Sequence, residues 1–365
     1  FLVKLISMEE KYIPINKGNY EMDTPERIEA FERYKAQGWE KEYYQYRKNW
    51  AEFAKNQFVS DYPLLVDLEL ASVCNLRCPM CYTITPEFKT KVNAKLMDWD
   101  LYVKLVDEIA GKVSAIRLSL RGESFLHKKF IECIKYAKSK GIKEISSLTS
   151  GSKLSPEFTA KVIEAGIDWI TVSIDGTGET YNKIRKPITF DQILERIKFI
   201  KAYKDERGLV KPVIKVQGVW PAIRENPQLY YDTFAPYVDL VAFNPLVDYN
   251  DRESNVQYID NFACPQHYQR LVVGADGLVM MCSNDEENIE VIGDANKQTI
   301  HEIWHGPKLN KVREVHKKLG GFKEIPVCRK CYLPQVIDES EKVVIGGREI
   351  TINNYANRKQ SIGNC

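Results

Sequence analysis

The chain has almost no net charge. Its 52 lysines and arginines meet 50 aspartates and glutamates, mixed along all 365 residues, which leaves +2 at pH 7. No basic stripe marks it for nucleic acid. It lacks any run of about 18 apolar residues, the length a membrane span needs. Its first residues, Phe1-Leu-Val-Lys-Leu-Ile6, are too short a stretch for a signal peptide, and they lack an initiator methionine. Internal repeats and low-complexity tracts are also absent. What is present is 44% apolar residues, enough for a large core and two domains. Of nine cysteines, seven cluster like metal ligands in a large lysine-rich chain. That usage points to a reducing cytoplasm rather than to disulfides.

Cys74, Cys78 and Cys81 are spaced C-x3-C-x2-C in Leu70-Ala-Ser-Val-Cys-Asn-Leu-Arg-Cys-Pro-Met-Cys-Tyr82. Three thiolates and no fourth leave one corner of a [4Fe–4S] cube open to a ligand that is not protein. An open position is where a metal site does chemistry, whereas a fully ligated site holds structure. A zinc knuckle or three core cysteines are the bland alternatives.

From Tyr62 to Pro245 the chain alternates strand and helix patterns. Strands are expected at Leu65–Leu70, Ala115–Leu120, Glu144–Leu148, Trp169–Ile174, Val213–Val219 and Leu240–Phe243. Helices fall between them, near Asp98–Ala110, Lys128–Lys140, Pro156–Ala165, Phe190–Tyr203 and Pro227–Ala235. Six βα units predict an α/β fold with a parallel sheet curled into a partial (β/α)6 barrel, its function at the C-terminal strand ends. Several strands alternate polar and apolar residues: Asp67 and Glu69; Arg117, Ser119 and Arg121; Thr171, Ser173 and Asp175; Lys215 and Gln217. Residues two apart share a face, so one face lines a wet lumen suited to a polar substrate. Some of these residues are equally well explained as ion pairs, such as Glu69 with Arg117.

The cysteine segment, with apolar Met80 before its last cysteine, resembles the radical S-adenosylmethionine (radical SAM) family, over roughly residues 62–335. The resemblance implies a partial TIM barrel of the radical SAM type and a [4Fe–4S] cluster with SAM at its open iron. It also implies reductive cleavage of SAM to a 5′-deoxyadenosyl radical and an electron donor such as flavodoxin or ferredoxin. Arg121-Gly122-Glu123-Ser124 occupies the place of the family's Gly-Gly-Glu-Pro motif, which receives the SAM ammonium; it departs at Arg121 and Ser124. Thr149, in Thr-Ser-Gly151, stands where the family often has Thr-Asn-Gly. Ser173 matches a serine that contacts the SAM ribose, and Arg185 an arginine that pairs with the SAM carboxylate.

Cys264, Cys282, Cys328 and Cys331 form a second set. Cys282 follows an expected hairpin turning at Asp276-Gly277. The set resembles the SPASM/twitch extension of radical SAM enzymes. Four cysteines imply the short layout with one auxiliary [4Fe–4S] cluster; a four-cysteine zinc ribbon is the alternative.

The expected organisation is a helical extension over 1–62, the barrel over 63–245, the auxiliary cluster domain over 246–335 and a hairpin tail over 336–365. In the extension, Thr24-Pro25 starts one helix and a second runs from Trp39 to Asn56. The reading is an enzyme that abstracts hydrogen from a small polar substrate, such as a carbohydrate, aminocyclitol or nucleotide-sugar. The outcome is dehydrogenation of a secondary alcohol, with the auxiliary cluster taking an electron, or epimerisation. Glu69, Lys215 and Gln217 are candidate catalytic groups on the polar face, the first two as bases. Cys133 reads as a buried inert thiol, and Cys365 is the spare thiol that an epimerase would use to return hydrogen. The alternative is modification of a peptide or protein side chain, disfavoured because the extension does not alternate like a leader-binding winged helix. No nucleic acid or membrane partner is expected.

Overall fold

The structure, a computed structural model, describes residues 11–15, 20–246, 256–356 and 362. Ten strands form one sheet: β1 (Tyr20–Glu21), β2 (Leu65–Leu68), β3 (Ala115–Arg117), β4 (Glu144–Thr149), β5 (Trp169–Ser173), β6 (Val213–Val219), β7 (Leu240–Asn244), β8 (Arg270–Val273), β9 (Leu278–Met280) and β10 (Val291–Asp294). Their order is β1-β7-β6-β5-β4-β3-β2-β8-β9-β10. Strands β2 to β7 are mutually parallel, as the alternating pattern predicts. Leu65, Arg117, Glu144, Trp169, Lys215, Leu240 and Arg270, one from each of β2 to β8, border a single cavity. The sheet is therefore curled around a lumen.

The alternation explains the layering. Val66, Leu68, Ile116, Ile145, Ile170, Val172, Ile214, Val216 and Val241 point away from the lumen and are buried. Helices cover them. The helix Trp99–Ile109 turns Leu101, Tyr102, Leu105, Val106 and Ile109 inward, the three-and-four spacing of one helix face. Truncating a fully buried member such as Leu105 to Ala costs about 2–5 kcal/mol.

The extension does two jobs. Its helices, Pro25–Ala36 and Glu40–Lys55, lie across the N-terminal ends of the strands. Thr24 caps the first, accepting from the backbone N–H of Arg27, with Pro25 at the first position. Trp39, Tyr43 and Tyr46 bury against Leu65 and Ala115 at the strand starts, while Tyr44 stays 57% exposed. The extension also supplies β1, which pairs antiparallel with β7. Two residues carry no readable period, so this strand was not expected.

Beyond residue 245 the chain continues the same sheet. β8 lies parallel to β2, and β8 and β9 form the hairpin expected around Asp276-Gly277. The tail hairpin, β11 (Ile337–Ile345) and β12 (Arg348–Tyr355), is a separate two-stranded sheet. It docks on the barrel through Trp220 Nε1–H to Glu341 (2.9 Å) and the N–H of Gly346 to Gln228 (2.8 Å).

The polar stripe pairs differently from the expected Glu69–Arg117 contact. Parallel register places Asp67 opposite Arg117, and these two meet at 2.9 Å. Arg270 takes the other Asp67 oxygen. Glu69 pairs instead with Arg121.

Candidate functional site

Cys74, Cys78 and Cys81 sit on the loop that leaves β2, and all three line one cavity of about 340 Å³ at the C-terminal strand ends. Backbone bonds shape the loop: the N–H of Cys81 donates to the Cys78 carbonyl (2.9 Å) and that of Leu76 to the Cys74 sulfur (3.4 Å). Burial pushes the Cys78 thiol up to about 12 and raises that of Cys74. Burial thus disfavours the thiolate at Cys74 and Cys78, a cost that a cationic metal would offset.

Gly122 locks the next loop against the first. Its φ is +61°, and a Cβ there would stand 2.5 Å from the Ala71 carbonyl oxygen and 2.6 Å from that of Val73. The N–H of Glu123 then reaches the Val73 carbonyl at 2.9 Å. Only glycine allows so close an approach.

Glu123 is buried and its carboxylate is full. Oε1 accepts from the Thr149 hydroxyl (2.7 Å) and the N–H of Phe125 (3.2 Å). Oε2 accepts from the N–H (2.7 Å) and hydroxyl (2.6 Å) of Ser150. Four donors occupy the roughly four acceptor positions of a carboxylate. In this arrangement Glu123 fixes the loop after β4.

Of the residues matched to the SAM site, Gly122, Glu123, Ser173 and Arg185 line the cavity with the cysteines. Ser124 and Thr149 do not. Ser124 bonds Ser147 (2.8 Å) and Thr149 bonds Glu123, so both support the wall from behind. Arg185 grips Asp175 through Nε–H at 2.6 Å, and Asp175 also accepts from the N–H of Val219 (3.0 Å). Burial opposes the charge on Arg185, but Asp175 outweighs it and raises the arginine's pKa.

The catalytic candidates separate. Glu69 is spent on Arg121, whose Nε–H and Nη2–H bind the two carboxylate oxygens at 2.7 Å each; the N–H of Ala275 adds a third contact at 3.1 Å. Lys215 borders the other cavity, near the strand starts. Gln217, opposite Ser173 in register, lines neither cavity. Cys365 lies outside the described residues. Cys133 is buried in the helix Phe130–Ser139. The sequence reading passed over Ser150, Asn244 and Glu286, which do line the cysteine cavity. Asn244 ends β7, so the rule that function gathers at strand C-termini was signal enough to find it.

Cys264, Cys282, Cys328 and Cys331 gather around one small pocket. Burial pushes Cys264 up to about 12, and Cys282 and Cys328 well above their usual range. N–H groups point at Cys331 Sγ, from the Asn284 amide (3.1 Å) and Leu333 (3.4 Å). His316 lies 3.5 Å from Cys328 Sγ through Nε2, and its Nδ1 accepts from the N–H of Cys264 (3.3 Å). No sequence spacing revealed that histidine.

The donor sets fit iron–sulfur clusters: three cysteines leave one corner of a cube open, and four cysteines can close one.

Fold, open three-cysteine loop and closed four-cysteine set define a radical SAM enzyme. A model of the radical SAM superfamily matches residues 68–211, and one of an iron–sulfur cluster-binding domain, SPASM, matches residues 264–332. The chain belongs to the radical SAM superfamily and carries a SPASM domain. Those assignments imply a [4Fe–4S] cluster, SAM and an auxiliary cluster. A tungsten-containing aldehyde ferredoxin oxidoreductase cofactor-modifying protein of Pyrococcus furiosus is 30% identical over 159 residues, 42% of each chain. An Fe-coproporphyrin III synthase of Methanosarcina barkeri is 30% identical over 129 residues, 35% of this chain and 31% of that protein. The chain thus matches less than half the length of these relatives. SuiB of Streptococcus suis, solved with S-adenosylmethionine, shares the fold at a TM-score of 0.53 and 11% identity, over 79% of this chain and 77% of that one. Among the described residues no helix is long and apolar enough to cross a membrane.

Proposed function

We propose that the enzyme abstracts a hydrogen atom from a small polar molecule of the carbohydrate, aminocyclitol or nucleotide-sugar class and oxidises a secondary alcohol to a ketone. The cluster, when bound, supplies reductive cleavage of SAM and thereby the hydrogen-abstracting 5′-deoxyadenosyl group. One observation carries the reading: Arg121, Arg185, Ser150, Ser173, Asn244 and Glu286 border the same cavity as the cysteine loop. Arg185 and Ser173 bind and orient SAM. Asn244 and Glu286 present polar groups to the substrate, and Glu286 accepts the hydroxyl proton, the part Glu69 cannot play while two donors of Arg121 hold it.

Oxidation is favoured over epimerisation by the placement of thiols. Among the described residues the cysteines lining this cavity are the three of the cluster loop, and Cys133 is buried in its helix. A ketyl-type radical that loses its proton must also lose an electron, and the SPASM cysteines offer a cluster to accept it. The names of the two curated relatives refer to cofactors and a porphyrin, which supports a small molecule over a peptide side chain. Among the described residues no disulfide forms, and cysteines gathered as metal ligands suit a reducing cytoplasm with flavodoxin or ferredoxin as electron donor.

The test is anaerobic turnover of carbon-deuterated aminocyclitols and nucleotide-sugars beside a panel of deuterated peptides. Deuterium entering 5′-deoxyadenosine from the alcohol carbon, with a ketone product two mass units lighter than the unlabelled alcohol, supports the proposal. Transfer from a peptide alone contradicts it.

A further inference from the structure

We infer that the N-terminal end of the barrel is a second ligand site, one that takes a small molecule through a carboxylate or phosphate oxyanion. A cavity of about 360 Å³ lies there, at the lower end of the volumes that hold small ligands. It shares no lining residue with the cysteine cavity. The helices of the N-terminal extension form its floor, contributing Lys35 and Arg47; the strands contribute Arg117, Lys215 and Arg270.

Charge favours an anion. Those five cations face three lining carboxylates, Glu21, Glu32 and Glu144. Counting Asp67, which holds Arg117 and Arg270 from behind, four acids still leave one positive charge. Burial lowers Lys215 to about 8 and Arg117 to about 10.

Hydrogen bonding favours an acceptor-rich ligand. Among the described residues the Nε–H of Arg270 and the Oε2 of Glu144 are buried without a hydrogen-bond partner, while the Nε–H of Arg117 is held by Asp67. Glu144 is 4% exposed, and its Oε1 accepts from Trp169 Nε1–H at 3.3 Å. Burial raises its pKa. A barrel end that only needed filling would carry branched apolar residues, and unpaired buried polar groups are destabilising. Guanidinium N–H groups match carboxylate and phosphate oxygens in geometry and charge.

Isothermal titration of the anaerobic, cluster-loaded protein tests this, with S-adenosylhomocysteine saturating the upper cavity. The probes are inorganic phosphate and succinate, against chloride at equal ionic strength. The expected result is saturable binding of at least one oxyanion with Kd of about 1 mM or tighter, weakened about tenfold in Arg47→Gln or Lys215→Gln. Arg47 is partly exposed, and burial opposes the charge on Lys215. No saturable heat from either oxyanion, or binding that both variants leave unchanged, overturns the inference. The readout is binding and stands apart from the reaction proposed for the cysteine cavity.

Discussion

Arg121 and Glu69 form a two-pronged, fully buried ion pair at the top of the barrel, with both N–H···O distances at 2.7 Å. The same guanidinium donates through Nη1–H to the Glu286 carbonyl (3.0 Å) and to Asn288 (2.8 Å). One side chain therefore ties β2, the glycine loop at Gly122 and the segment just after Cys282. Arg121 is one of the two residues, with Ser124, at which this chain departs from the family's glycine motif, and the structure gives its departure a physical role. Arg121→Met leaves Glu69 buried and unpaired, a loss of about 3–5 kcal/mol. Arg121→Lys keeps the charge but loses the fork. Thermal unfolding is expected to rank wild type above the lysine variant and that above methionine, with SAM cleavage falling in the same order.

Gly122→Ala has a sharper outcome. The new Cβ would meet two backbone carbonyl oxygens at 2.5 and 2.6 Å, with φ at +61°. Backbone cannot yield as a flexible side chain can, so the cysteine loop must move. Iron analysis of the anaerobically reconstituted variant is expected to show about four irons fewer per chain, with the SPASM cluster retained.

The converse variant separates the two clusters. Cys282→Ser removes a ligand from the closed set and leaves the open loop intact. It is expected to lose about four irons and to keep cleaving SAM to 5′-deoxyadenosine, while product ketone disappears. Parallel assays of the two products check this.

Lys215 sets a pH dependence. Burial holds it at about 8 in the folded chain, against an ordinary lysine value of 10.5. Below pH 8 both states carry the proton and the folded state bears the full cost of a buried charge. Between 8 and 10.5 the unfolded chain binds more protons, so that cost fades as pH rises. Lys215→Met is therefore expected to stabilise most at pH 7, by at most on the order of 3 kcal/mol, and progressively less toward pH 10. Melting temperatures in chloride buffer, free of phosphate and carboxylate, measure the gap.

The sequence resolved what has a period or a fixed spacing. β6 lies where alternation placed it, Val213–Val219, and β4 differs from expectation by one residue. The expected strand Ala115–Leu120 narrows to Ala115–Arg117, because beyond it the chain turns to present Arg121 and Gly122 to the cysteine loop. Alternation disclosed a polar lumen but could not assign its pairs. Those depend on the register that sets Asp67 beside Arg117, a relation between strands 50 residues apart. For the same reason Lys215 could not be assigned to one end of the lumen or the other. The cysteine sets were legible because ligand spacing is local. His316 was not, because it reaches Cys328 and Cys264 from another helix.

The central claim is that Cys74, Cys78 and Cys81 hold a cluster able to cleave SAM. Reducing the anaerobically reconstituted protein with dithionite in the presence of SAM, and quantifying 5′-deoxyadenosine, tests it most directly. The account predicts steady formation by the wild type and none by Cys78→Ser. An intact, reduced cluster that binds SAM at these cysteines and yields no 5′-deoxyadenosine would contradict it.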